Sequence, residues 1–200
     1  RLPKAYDFDS INDIQVLCPS RKGECGSVNI NKMLQYVLNP PSKNKREVTL
    51  AGKTLREGDK VMQIKNNYDI LWTKGNDEGS GIFNGDIGII EKIDNISSAF
   101  SVNFEDRNAV YSFENANEIE HAYACTVHKS QGNEFKAVVM PVFGVVPNLC
   151  YRNLLYTAVT RAKSIMVLVG SDEVVYNMTM NNSRTKRYTA LKHFLGDDGA

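Results

Sequence analysis

Three short blocks of this chain hold most of its chemically capable side chains. The first, Thr126-Val127-His128-Lys129-Ser130-Gln131-Gly132-Asn133-Glu134-Phe135, gathers a hydroxyl, an imidazole, an ammonium, an amide and a carboxylate around one glycine. A hydroxyl or imidazole can donate to phosphate, a carboxylate accepts from hydroxyls, and glycine, lacking a Cβ, lets backbone approach a ligand. Taken alone, the same residues also fit a polar surface loop with His128 merely solvated. The second block runs from Asn153 to Lys163 (NLLYTAVTRAK) and ends in Arg161, whose planar positive fork suits phosphate charge. A lone arginine there fits a surface ion pair as well, and that is the preferred reading for Lys163. The third, Pro19-Ser20-Arg21-Lys22-Gly23-Glu24-Cys25-Gly26, sets two cations in a glycine-bearing loop that could cradle phosphate or lie idle on the surface. It lacks the pattern G-x-x-x-x-G-K-[ST], so it is not a nucleotide P-loop.

The elements that must position these blocks follow from hydrophobic patterning. Asp13–Cys18 is an apolar run stopped by Pro19, and Val28–Leu38 has helical spacing until Pro40-Pro41 ends it, giving strand, loop, helix. The polar, proline-led stretch 40–47 reads as a domain crossing. Beyond it come five short β-type runs, Lys60–Ile64, Ile70–Thr73, Asp86–Ile93, Phe100–Phe104 and Ala109–Phe113. Gly58-Asp59, Gly79-Ser80-Gly81 and Asn84-Gly85-Asp86 serve as turn signals, and Glu105–Asn108 as a hairpin connection. That texture predicts a small barrel. After about Glu120, Tyr123–Val127, Ala137–Val142 and Ile165–Val169 return as apolar strands, the last two expected to be buried on both faces of a parallel sheet. A helix is expected over Asn153–Lys163, with Thr157 and Arg161 one turn apart, and another at Lys192–Leu195. The fold class expected is α/β, a parallel-sheet domain (1–45 and 120–195) interrupted by an all-β insertion (46–119), with a tail at 196–200. The polar residues of the first block, between two such strands, should then sit at the sheet's carboxyl end, where open α/β sheets bind ligands.

A composition of 42% hydrophobic and 24% charged residues is that of a globular chain, which argues against disorder. No apolar run reaches the roughly 20 residues of a membrane span, and the start carries no signal-peptide pattern, so a cytoplasmic piece of something longer is expected. Cys18, Cys25, Cys125 and Cys150 form no C-x-x-C pair, which argues against a zinc site. The net charge of +1 is unevenly spread: residues 40–75 hold eight Lys/Arg against four Asp/Glu, residues 76–120 two against ten. The basic stretch could meet a phosphate backbone while the acidic one faces solvent or another domain.

The three blocks together resemble the motifs of superfamily 1 helicases. Thr126–Phe135 is similar to motif V (T-x-H-K-x-Q-G-x-E-F), and Tyr156-Thr157-Ala158-Val159-Thr160-Arg161-Ala162 to motif VI. Pro19–Gly26 with Asn31, Leu34, Gln35 and Leu38-Asn39-Pro40 resembles a stretch of the RecD/TraA branch, with Ser20 where methionine is usual. Arg56-x-Gly58-Asp59-Lys60-Val61-Met62-Gln63 with Asn66-Asn67-Tyr68, then Phe83-Asn84-Gly85-Asp86-x-Gly88, resembles the SH3-like barrel set into the second RecA-like domain of that branch.

The resemblance implies roles. Arg161 would reach the γ-phosphate of ATP from across an interdomain cleft, and Gln131, Gly132 and Glu134 would serve the nucleotide. Thr126, His128 and Lys129, with Arg21 and Lys22, would face single-stranded DNA, and Lys60, Lys65, Asn66, Asn67 and Tyr68 would give phosphate and stacking contacts from the barrel. ATP with Mg²⁺ would be bound jointly with an N-terminal RecA-like domain of the same protein, since no G-x-x-x-x-G-K-[ST] P-loop and no acidic Walker B strand occur here. Translocation would run 5′ to 3′, and these residues alone would not hydrolyse ATP. Two other readings of the sequence are a stand-alone single-strand-binding module and a scaffold with unused motor motifs.

Overall fold

The computed structural model describes residues 2–182. In chain order its elements are α1 (Leu2–Tyr6), β1 (Ile14–Cys18), α2 (Ser27–Leu38), β2 (Glu47–Leu50), β3 (Lys53–Arg56), β4 (Lys60–Gln63), β5 (Asn67–Lys74), β6 (Asp77–Ile82), β7 (Ile87–Asp94), β8 (Ala99–Phe104), β9 (Arg107–Ser112), β10 (Ile119–His121), β11 (Ala124–Thr126), β12 (Phe135–Val142), α3 (Arg152–Val159), β13 (Ala162–Gly170) and α4 (Asp172–Met180). The helix expected at Lys192–Leu195 and the tail lie outside the described residues.

The apolar runs on either side of the β-rich stretch pair with one another across more than a hundred residues of sequence. They form a parallel sheet of order β11-β1-β12-β13. Leu17, Val138, Met140 and Val142 pack beneath Leu154, Leu155 and Ala158 of α3 and Met178 of α4, all at most 7% exposed. The expectation that both Ala137–Val142 and Ile165–Val169 are enclosed fits β12, which lies between two neighbours. It is corrected for β13, which pairs only with β12 among the described residues and stays half-buried or exposed. A second correction concerns the helix expected over Asn153–Lys163. α3 ends at Val159, the Thr160 N–H and side chain bond back to carbonyls of the last turn, and Arg161 falls in the connection to β13, off the helical face it was to share with Thr157.

Between β1 and β11 the chain builds an antiparallel sheet of order β10-β4-β7-β8-β9-β5-β6 around a separate core of Val61, Ile90, Ile93, Phe100, Val102, Phe104, Tyr111 and Ile119. The alternation of β8 is realised: Phe100, Val102 and Phe104 are buried, Ser101 and Asn103 only partly, and Phe100 stacks on Tyr111 with centroids 5.1 Å apart. Glu105 and Asp106, with φ 47° and 72°, turn β8 into β9 as a two-residue hairpin loop requires.

Gly79-Ser80-Gly81 is no turn. It lies in β6, where a Cβ on Gly79 would stand 2.4 Å from Cζ2 of Trp72, so the glycine makes room for the indole. Gly75-Asn76 turns instead, joining Lys74 to Asp77. The β2–β3 hairpin also lacked a sequence signal. Its Gly52-Lys53-Thr54 spells the end of a Walker A motif, but Ala51-Gly52 form the hairpin turn (φ 50° and 75°) and Lys53 begins a strand. Glu47 stands where the motif's first glycine belongs.

Candidate functional site

Strand direction sorts the first block onto two edges of the parallel sheet. Thr126 ends β11 at the carboxyl edge, whereas Phe135 begins β12, so residues 127–134 cross from one edge to the other. The expectation that the whole block sits at the carboxyl end is therefore corrected: Thr126 starts there, but Asn133 and Glu134 arrive at the amino edge. Arg161, just before β13, arrives at that edge too. Its Nη1 donates to the Asn133 carbonyl at 3.2 Å, and its own carbonyl accepts from the Phe135 N–H at 2.9 Å. Arg161 Nε is buried without a hydrogen-bond partner. Gly132 has φ 93°, a left-handed conformation that strains any side-chain-bearing residue, with open space where a Cβ would be. Gln131 is exposed, and exposed Glu134 lies 3.5 Å from Nζ of Lys163, the ion pair preferred for that lysine. Asn133, Glu134 and Phe135 form one wall of a cleft of about 600 Å³. Its other wall belongs to the barrel and includes Asp86, Glu91 and Arg107, so part of the acidic stretch faces this loop.

At the carboxyl edge a different set converges. The Ser20 and Arg21 carbonyls accept the N–H groups of Ser27 and Val28, and Gly23 that of Gly26. These N–H groups at the start of α2 are thus used internally, which leaves the side chains of Arg21 and exposed Lys22 as the groups this loop offers. Arg21 Nη2 lies 2.7 Å from Glu120 Oε1, and Lys129 Nζ 2.9 Å from Glu120 Oε2. Lys53, from the β2–β3 hairpin, donates to the Ile119 carbonyl. Burial, helped by the charges of Arg21 and Lys129 and opposed by Glu120, holds the Lys53 ammonium below its ordinary pKa. Burial acts to raise Glu120, but the Lys129 hydrogen bond and the three surrounding cations bring it below the ordinary carboxylate value. Arg21, Lys53, Glu120, Thr126 and Lys129 share a pocket of about 230 Å³. His128 is exposed, with Nε2 3.4 Å from the Tyr151 hydroxyl.

The barrel residues divide. Lys60 is corrected as a nucleic-acid contact: it is 3% exposed, its Nζ donates to the carbonyls of Ile11 and Ile14, and burial pulls its pKa down to about 8. Lys65 and Asn66 are exposed, the Asn66 side chain accepting from the Asn84 N–H. Asn67 is half-buried and donates to Glu118. Tyr68 is 66% exposed and meets Phe83, itself 42% exposed, edge to face at 5.7 Å between centroids. A core role for Tyr68 is thereby excluded, and the pair offers an exposed aromatic patch.

Sequence reasoning missed Lys53, Glu120, Phe83 and, above all, Asp59. Taken for a turn residue, Asp59 is fully buried and accepts from Gln35 Nε2 (2.6 Å), Asn39 Nδ2 (2.7 Å), Tyr123 Oη (2.9 Å) and the Arg56 N–H (2.8 Å), with His121 Nε2 at 3.2 Å. Burial pushes its carboxyl up, but the hydrogen bonds from His121 and Asn39 outweigh this and hold it below the ordinary value. The amides of the third block thus bind the barrel to α2. The available signal was an amide recurring every fourth residue (Asn31, Gln35, Asn39) along an otherwise amphipathic helix.

Comparison with known proteins accounts for both sheets. Residues 30–104 match the ATP-dependent RecD-like DNA helicase SH3 domain, and residues 121–169 the UvrD-like helicase C-terminal domain. In fold the chain is similar to a Bacteroides Pif1 helicase solved in complex with ADP-AlF3 and ssDNA, with TM-score 0.54, 16% identity, and 89% of this chain and 44% of that one covered. These findings define a C-terminal region of a superfamily 1 helicase, with a RecA-like parallel sheet. The chain is 33% identical over 178 residues to the ATP-dependent RecD2 DNA helicase of Deinococcus radiodurans, and 31% over 192 residues to the RecD subunit of the Haemophilus influenzae RecBCD enzyme. Over these stretches it is similar to RecD-like helicases. The alignments cover 89% and 93% of this chain but only 23% and 26% of those relatives, so it spans about a quarter of their length.

Proposed function

We propose that this chain is the C-terminal motor half of an ATP-driven DNA helicase, working 5′ to 3′ along a single strand in the cytoplasm. The residues up to 45 and from 120 onward belong to the second RecA-like domain, and residues 46–119 are its SH3-like insertion. The reading is carried by one juxtaposition: the Arg161 guanidinium lies against the Asn133 carbonyl, between Gly132 and Glu134, at the sheet's amino edge. Two motifs nearly thirty residues apart in sequence thereby supply a phosphate-seeking cation, a backbone free of side chain and a carboxylate at one place.

In this reading ATP lies between that edge and an N-terminal RecA-like domain, which contributes the P-loop and the Mg²⁺ ligands. Among the described residues no cluster of three or more His, Cys, Asp or Glu could hold a metal. Arg161 swings from the Asn133 carbonyl to the γ-phosphate on closure, stabilising charge that develops during transfer. Glu134 leaves its exposed partner Lys163 for the nucleotide sugar, and Gln131 and Gly132 line the approach. The strand runs along the carboxyl edge and the barrel, past Arg21, Lys22, Thr126, His128 and Lys129 and then Lys65, Asn66, Asn67 and Tyr68, where Tyr68 with Phe83 stacks a base. No helix among the described residues is long and apolar enough to cross a membrane.

The test is single-strand-stimulated ATP hydrolysis by the full-length protein. Arg161→Ala is expected to lower kcat by about 10³ or more while the protein stays folded. Unchanged turnover would remove Arg161 from the nucleotide site and leave a DNA-holding module as the better description.

A further inference from the structure

The carboxyl-edge pocket already contains an anion. Glu120 presents one oxygen to Arg21 and the other to Lys129, while Lys53 anchors beside it on the Ile119 carbonyl. The three cations come from three separate segments, the loop after β1, the β2–β3 hairpin and the loop after β11, and have no reason of chain proximity to meet. A carboxylate with both oxygens engaged by different cations occupies the geometry that two non-bridging phosphate oxygens would take. The cluster keeps a net charge of +2, three cations against one carboxylate, beside Thr126 in a pocket of about 230 Å³.

We infer that Arg21, Lys53 and Lys129 form a binding site for a backbone phosphate of single-stranded nucleic acid, and that Glu120 is its built-in competitor, displaced when the phosphate enters. This rests on the single-strand reading proposed above, to which it adds a site, a residue absent from the sequence argument (Lys53) and a resident anion. The exchange conserves charge pairing: Lys129 and Arg21 leave one oxyanion for another.

The competitor makes a prediction opposite to that of a structural strut. With glutamate present, the site meets the strand with one unit less of net positive charge; with glutamine all three cations act on the phosphate and more of the strand's condensed counterions are released. Binding of a 5′-fluorescein oligothymidylate to the full-length protein is followed by anisotropy across a salt series, for wild type, Glu120→Gln and Lys53→Gln. Glu120→Gln is expected to bind about tenfold tighter, the change that about 1.4 kcal/mol represents, with a logarithmic salt slope steeper by about 0.7. Lys53→Gln is expected to bind several-fold more weakly, with a slope shallower by about 0.7.

Wild-type binding with Glu120→Gln no tighter would overturn the inference and leave the single-strand reading intact. Absence of binding by all three proteins would bring down that reading, and the inference with it. Should Glu120→Gln fail to fold, Lys53→Gln decides alone, a weaker and less salt-sensitive complex supporting the site and an unchanged one contradicting it.

Discussion

Lys53 and Lys60 stand seven residues apart in one basic stretch and serve opposite ends. Lys53 lines a polar pocket beside two other cations, whereas Lys60 is enclosed, its ammonium held by the Ile11 and Ile14 carbonyls. Composition gives both the same charge, and burial separates them, which is why a count of cations could not choose the nucleic-acid contacts. Lys60 carries a pH signature. Its pKa falls from 10.5 to about 8 on folding, so as pH drops through that window the unfolded chain takes up a proton that the folded one refuses. Stability therefore declines as pH falls from about 10.5 to 8 and is level below, where both states are charged. Chemical denaturation of wild type and Lys60→Met over this range should give a difference curve worth a few kcal/mol, at about 1.4 kcal/mol per unit. A flat difference would show that the ammonium is not desolvated as its surroundings imply.

At the scale of elements, the strands that alternate or run apolar were legible: β1, β4, β7, β8, β9 and β12 each lie within or around an expected run, and α2 ends at the Asn39-Pro40 stop. Four strands were not, nor were the helices α1 and α4. β6, reading Asp-Glu-Gly-Ser-Gly-Ile, has turn composition and becomes a strand because Trp72 needs the space above Gly79. β2, β3 and β10 are three or four residues long, too short for a period to show. The reach of the first block was misjudged for a related reason, since β11 is only three residues long and the chain after it has to travel back across the sheet before β12. Gly79→Ala tests the account of β6. Its Cβ would overlap the indole, and a loss of roughly 1–3 kcal/mol is expected in urea denaturation, accompanied by a shift in Trp72 fluorescence, the chain having one tryptophan. A neutral substitution would mean that the ring has other room.

At the scale of the molecule, the parallel sheet and the barrel have separate apolar cores, and Asp59 is the polar joint between them. Four donors and a histidine converge on it from α2 and the residue after it, from β3, from β10 and from Tyr123 just before β11. Removing the carboxylate orphans several buried groups at once, so Asp59→Ala should cost on the order of 3 kcal/mol or more. A loss under about 1 kcal/mol by the same denaturation measurement would show that the joint is held by packing instead. Asp59 also adds acid sensitivity: with its pKa lowered on folding, its contribution is present above the ordinary value of 3.8 and is lost as pH falls through the folded value.

In the proposed motor half, one body presents a nucleotide-facing amino edge and a strand-facing carboxyl edge with its barrel. The most direct measurement follows ATP turnover and oligothymidylate affinity in parallel on full-length Arg161→Ala and Tyr68→Ala. Arg161→Ala should lose turnover with affinity kept. Tyr68→Ala should lose about 1–3 kcal/mol of affinity, the worth of one stacked base, with DNA-independent turnover kept. Variants that lose both activities together, or an Arg161→Ala protein that turns over ATP normally, would contradict it.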